Sequence, residues 1–135
     1  MKKVFVDTSG WLSILLKSDV LNSRATKIYS ELLASDTKLV THEGVLFEIG
    51  NALSSSKSRH IVIKLKESID KSSRIEFVSL TTEMTEEAWK LYQHRPDKDW
   101  GIIDCISFVL MKRANISEAL ITDRHFEQAG FTKLL

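Results

Sequence analysis

Short apolar, β-branched runs return along this chain between segments of helical period, and that alternation restricts the fold more than any single motif. Lys3–Val6, Leu39–Val40, Ile75–Leu80, Ala119–Thr122 and Phe131–Leu135 read as strands. Between them, apolar residues recur at helical spacing over Ser9–Leu16, Ser23–Leu33, Thr41 to about Leu53, His60–Ser72, Thr82–Gln93 and Trp100–Ala114. Arg124–Ala129 reads as one or two helical turns, stopped by Gly130. Ser9, Thr41 and Thr82 stand where side-chain N-caps belong. Alternation of this kind predicts an α/β fold: a central parallel sheet of about five short strands with helices on both faces. Right-handed crossovers then gather the strand-to-helix turns at one edge of the sheet. No linker, repeat or low-complexity stretch interrupts the pattern, so residues 1–135 are expected to form one domain.

Composition excludes several classes. With 43% hydrophobic and 27% charged residues, the chain matches a globular protein able to bury a core without staples. Cys105 is the only cysteine, so no internal disulfide is possible and a reducing, cytoplasmic setting is expected. The apolar run after Lys2 and Lys3 stops at Asp7, too short for a signal peptide. No apolar run approaches the ~20 residues of a membrane span. A formal net charge of +1 does not announce nucleic acid. No Gly-rich phosphate loop occurs, and His42, His60, His94 and His125 are dispersed, with no motif for a serine or cysteine nucleophile.

The acids carry the information. Glu31, Asp36, Glu67, Asp70, Glu86, Glu87 and Glu118 suit solvated helix faces; four others do not. Asp7 ends the Val4-Phe5-Val6 strand; read alone, it is an ordinary turn or N-cap aspartate. Glu48 lies beside the apolar stripe of its helix, and alone it reads equally well as a flanking side chain reaching solvent. Asp104 interrupts Ile102-Ile103-Asp104-Cys105-Ile106, early in a helix that is apolar nearly all round and therefore buried. Unpaired burial of a carboxylate costs several kcal/mol or raises its pKa until it neutralises, which argues for a role there. Asp123 repeats the setting of Asp7, again with an N-cap alternative. In an open parallel sheet, ligands bind beyond the carboxyl ends of the strands, where strand order switches. Four carboxylates meeting there repel one another, and a hard divalent cation, Mg²⁺ or Mn²⁺, resolves the conflict. Such an ion polarises a phosphoryl oxygen and acidifies a bound water, so phosphodiester hydrolysis is the leading chemistry.

Through these residues the chain resembles the PIN-domain family of metal-dependent ribonucleases, in particular the VapC-like toxins of toxin–antitoxin pairs. The resemblance covers nearly the whole chain. It rests on Val4-Phe5-Val6-Asp7-Thr8-Ser9, on Val45 to Leu53 around Glu48, on Asp97 to Phe108 around Asp104, and on Leu120 to Phe131 around Asp123. It implies that Asp7, Glu48, Asp104 and Asp123 are the catalytic, Mg²⁺- or Mn²⁺-binding acids. It also implies an RNA substrate, a homodimer and a cognate antitoxin. Thr8, Ser9, Asp99 and Thr122 are candidates for groups that hold those acids in place; Asp99 reads equally well as the N-cap of the Trp100 helix. The chain departs from the family pattern at Gly101-Ile102-Ile103-Asp104, where Ser-Leu-Thr-Asp is frequent, and at Ile121, where a hydroxyl residue is usual. Hydroxyls of that kind orient metal ligands, and their loss bears on activity rather than on the four acids.

An RNA substrate requires cations near the acids. Arg124, beside Asp123, and Lys57 or Arg59, beyond the Glu48 helix, are the candidates for phosphate contacts. Trp11 and Trp100 adjoin strand-end turns, where packing is the default for an aromatic side chain. Two other functions use the same residues: a DNA-directed or structure-selective nuclease, and a non-catalytic nucleic-acid- or partner-binding module with a decayed site.

Overall fold

The computed structural model describes residues 1–135. Its strands are β1 (Lys2–Val6), β2 (Thr37–His42), β3 (Ile75–Val78), β4 (Glu118–Leu120) and β5 (Thr132–Lys133). Its helices are α1 (Thr8–Leu15), α2 (Asn22–Ala34), α3 (Glu43–Ala52), α4 (Arg59–Lys71), α5 (Thr82–His94), α6 (Ile102–Arg113) and α7 (His125–Gln128). The strands form one parallel sheet in the order β3-β2-β1-β4-β5. The chain leaves β1 toward one edge of the sheet and leaves β4 toward the other, so the strand order switches between them. The right-handed crossover rule puts α1 to α4 on one face and α5 to α7 on the other. No helix is long and apolar enough to cross a membrane.

Val4, Phe5 and Val6 of β1 are fully buried, as are Leu39 and Val40 of β2 and Ala119 and Leu120 of β4. Burial on both faces explains their near-continuous apolar sequence. α6 lies against the sheet and buries every residue from Cys105 to Met111. Trp11 and Trp100 are 2% and 6% exposed, so both are core residues. Trp100 Nε1 donates to Gln128 Oε1 at 3.1 Å, and its ring packs edge-on against Phe108.

Several boundaries differ from the sequence expectation, each for a physical reason. β2 is six residues long because it lies between β1 and β3 and pairs with both. α1 starts at Thr8 with Asp7 at the cap position, and Ser9 is no cap because its Oγ accepts the backbone N–H of Thr122 at 3.0 Å. Thr41 stays in the sheet, donating to the Val6 carbonyl at 3.0 Å, and His42 caps α3 instead. Thr81, not Thr82, caps α5, its Oγ1 accepting the Met84 N–H at 3.2 Å. α6 starts at Ile102 rather than Trp100, with Gly101 at the cap position, so Asp99 is not its N-cap. β3 stops at Val78, β4 at Leu120, and β5 shrinks to two residues.

The first turn of α1 approaches β4 closely at Gly10. A Cβ there would lie 2.1 Å from the Leu120 carbonyl oxygen, which is backbone and cannot swing away. Gly10→Ala is therefore expected to destabilise the protein by about 3 kcal/mol, the upper range for overpacking. Urea unfolding of the two proteins reads this as a lower midpoint.

Candidate active site

The carboxyl ends of β1, β2 and β4 deliver three of the four acids, and α6 brings the fourth. Asp7 follows β1 directly, Glu48 lies on α3 just after β2, and Asp123 follows β4. Asp104 enters from the first turn of α6. Each acid feels the others. Asp7 is held well above the ordinary aspartate range, first by burial and then by Asp104 and Glu48, with Asp123 adding to the effect and the Thr8 backbone N–H opposing it. Glu48 is raised by burial and by Asp104 and Asp123. Asp104 is raised by burial and by Asp123. The four expected acids thus form one electrostatic cluster.

Asp7 is the centre of the strain. It is 4% exposed, and its Oδ1 is the one buried side-chain polar atom with no hydrogen-bond partner. Native structures rarely leave such a group unpaired without a reason, an absent ion among them. The groups electrostatically coupled to it are carboxylates, whose oxygens suit a hard divalent cation. No three His, Cys, Asp or Glu side chains are drawn closely enough to hold an ion by themselves. Carboxylates without a counter-ion repel, and Mg²⁺ typically keeps several waters, binding through one or two carboxylates. In charge and donor chemistry the residues fit such an ion.

Neighbouring groups orient three of the acids. Thr8 Oγ1 donates to Glu48 Oε1 at 2.5 Å, joining α1 to α3. Asp104 Oδ2 accepts the Gly101 backbone N–H at 3.1 Å, which lowers its pKa against the effect of burial. The His125 ring donates from Nδ1 to the same oxygen at 3.1 Å and lies 3.8 Å from Asp123 Oδ1. Asp123 Oδ1 also accepts the His125 backbone N–H at 2.9 Å. Ser9 holds the Thr122 backbone just before Asp123.

The four histidines stay apart from one another, but His125 is a neighbour of the site that sequence reasoning did not single out. The fold brings it against two acids, one 21 residues away in sequence. Its place two residues after a strand-end acid was the available signal. Asp99 is exposed and sits in a surface depression with Tyr92, Arg95, Lys98 and Gly101; no hydrogen bond or ion pair joins it to the four acids. Arg124 is exposed at the start of α7 and has no ion-pair partner. Lys57 is exposed in the turn before α4, and Arg59 opens that helix with Nε donating to the Ser54 carbonyl at 2.7 Å. Ile121, at a position where a hydroxyl was looked for, is fully buried in the core. Burial pushes the Cys105 thiol up to about 11, with Asp104 adding to the effect, so it is no nucleophile.

A family model described as the PIN domain matches residues 4–132. The 23S rRNA-specific endonuclease VapC20 of Mycobacterium tuberculosis, in strains CDC 1551 / Oshkosh and ATCC 25618 / H37Rv, is 24% identical over 131 residues, covering 97% of each chain. The crystal structure of M. tuberculosis VapC20, described as a sarcin-ricin loop cleaving toxin, matches with a TM-score of 0.85 at 22% identity, covering 96% of each chain. FitAcB from Neisseria gonorrhoeae matches with a TM-score of 0.66 at 14% identity, covering 96% of this chain and 95% of that one. At these identities the structural likenesses establish the fold.

Proposed function

The chain belongs to the PIN domain family, and on that premise we propose that it is a metal-dependent endoribonuclease, the toxin of a toxin–antitoxin pair. The observation that carries this reading is the buried, unpartnered oxygen of Asp7 amid three further acids. In the proposal, residues 1–135 act as one nuclease domain, and Asp7, Glu48, Asp104 and Asp123 hold Mg²⁺ or Mn²⁺. The bound ion supplies polarisation of a phosphoryl oxygen and a water acidic enough to attack near neutral pH. The chain supplies orientation. Thr8 fixes Glu48, while the Gly101 N–H and His125 fix Asp104. Ser9 and Thr122 set the backbone from which Asp123 projects. Arg124 offers an exposed cation next to Asp123, and Lys57 and Arg59 extend the positive surface beyond α3 for the RNA backbone.

The likeness to VapC20 makes a structured ribosomal RNA loop the first substrate to try. The same reading includes a homodimer, a cognate antitoxin and a cytoplasmic location. The test incubates the purified protein with a sarcin–ricin loop RNA and a DNA of matching sequence in Mn²⁺, with and without EDTA. The RNA is expected to be cut, the DNA spared and EDTA to stop the reaction. Asp104→Asn is expected to slow cleavage about 10³-fold, the several kcal/mol a metal supplies to such a transition state. Equal cutting of DNA would replace this reading with a DNA-directed nuclease. RNA bound but never cut in Mn²⁺ would replace it with a binding module.

A further inference from the structure

Two buried polar residues take no part in the acidic cluster. His42 is fully buried at the end of β2, and Ser107 is fully buried on α6, otherwise apolar around it. A serine inside such a helix face has no packing reason to be there. The two side chains meet: His42 Nε2 and Ser107 Oγ are 2.9 Å apart.

The protons in this pair can be assigned. His42 Nδ1 accepts the backbone N–H of Gly44 at 3.0 Å and of Val45 at 3.4 Å, capping α3, so it carries no proton. Nε2 therefore carries the hydrogen and donates it to Ser107 Oγ. Ser107 in turn donates to the Ile103 carbonyl at 3.0 Å. Burial holds the His42 pKa down to about 4, so the ring is neutral at working pH. Gly44 leaves the ring its space, since a Cβ there would lie 2.9 Å from both His42 Cε1 and Ile103 Cδ1. Phe5 of β1 stacks on the ring at 5.7 Å between centroids. An unbroken polar path thus runs from the first turn of α3, the helix whose second turn carries Glu48, to the α6 carbonyl one residue before Asp104.

We propose that His42 and Ser107 are positioning residues, which lock α6 to the start of α3 and so set Asp104 in place relative to Glu48. The link to catalysis rests on the nuclease reading above; the mechanical claim does not. Groups that orient metal ligands from behind are worth about 10–100-fold in metal affinity or activity.

The test compares wild type, Ser107→Ala, His42→Asn and Ser107→Thr at a temperature where each is folded by circular dichroism. Ser107→Ala cuts the path and leaves the α3 cap. His42→Asn keeps a capping oxygen and is too short to reach Ser107. Both are expected to weaken Mn²⁺ binding by calorimetry, and to lower kcat on RNA, by about tenfold, with KM within about twofold. Amide exchange at Cys105 and Ile106 is expected to quicken about tenfold, with α5 amides unchanged. Ser107→Thr keeps the hydroxyl and is expected to stay near wild type in all three. Wild-type exchange, Mn²⁺ affinity and kcat in both disrupting variants would overturn the proposal and leave the pair a stabilising contact only. If the wild type cuts no RNA, the nuclease reading fails, while exchange and Mn²⁺ affinity still decide this one.

Discussion

Asp7→Asn is expected to raise the melting temperature of the metal-free protein while abolishing cleavage. The carboxylate it removes is 4% exposed, and Asp104, Glu48 and Asp123 all oppose its charge. Asparagine has the same shape and no charge. Its oxygen can still accept the Thr8 N–H, and an uncharged amide replaces the unpartnered carboxylate. Relief of that desolvation and repulsion is expected to add about 1–3 kcal/mol of stability. For a domain of this size that is a rise of roughly 4–10 °C. Cleavage is expected to fall by about 10³-fold or more, because the most buried of the four acids is gone. Opposite signs for stability and activity mark a site held under strain for function. A drop in melting temperature would show that the Asp7 charge is satisfied within the protein alone.

A divalent cation should reverse the pattern, and pH should tune it. Carboxyl groups with raised pKa values keep protons in the folded state that the unfolded chain has already released. Stability of the metal-free protein therefore falls, on their account, as pH rises from the ordinary aspartate value of 3.8 through the raised range of Asp7, Glu48 and Asp104. His42 acts oppositely. Its pKa is lowered from 6.5 to about 4, so its contribution is complete above 6.5 and is lost as pH falls toward 4. Mn²⁺ binds the deprotonated acids, so its stabilising effect should grow with pH. At a hundredfold excess over its dissociation constant it adds about 2.7 kcal/mol. Melting curves at pH 5 and pH 8, with and without Mn²⁺, should show a large increment at pH 8 and a small one at pH 5. In Asp7→Asn both increments should shrink. Equal increments at the two pH values would place the ion away from the acids.

The parts of this fold legible in the sequence are those set by local pattern. Val4-Phe5-Val6 and Asp7 announce a buried strand ending at a site, and the apolar run around Asp104 announces a buried helix carrying a misplaced charge. The four acids are then joined by the general rule for parallel sheets. Caps fall a residue or two from the expected hydroxyls because two of these are engaged elsewhere in the fold and the third adjoins a second threonine, Thr81. Ser9 is committed to Thr122, 113 residues away, and Thr41 to β1. His42 and His125 were missed as working residues because their partners are distant in sequence. His42 meets Ser107 across 65 residues, and His125 meets Asp104 across 21. Asp99 looks like a cap because it stands just before an apolar helical run, whereas α6 starts two residues later than the sequence suggests, with Gly101 in the cap position.

Calorimetric titration of Mn²⁺ into wild type and Asp104→Asn tests whether the four acids hold a metal ion, without knowledge of the RNA target. Saturable binding by the wild type is expected, and it should disappear in a folded Asp104→Asn. No binding by folded wild type, or equal binding by both proteins, would contradict a metal site built on the four acids.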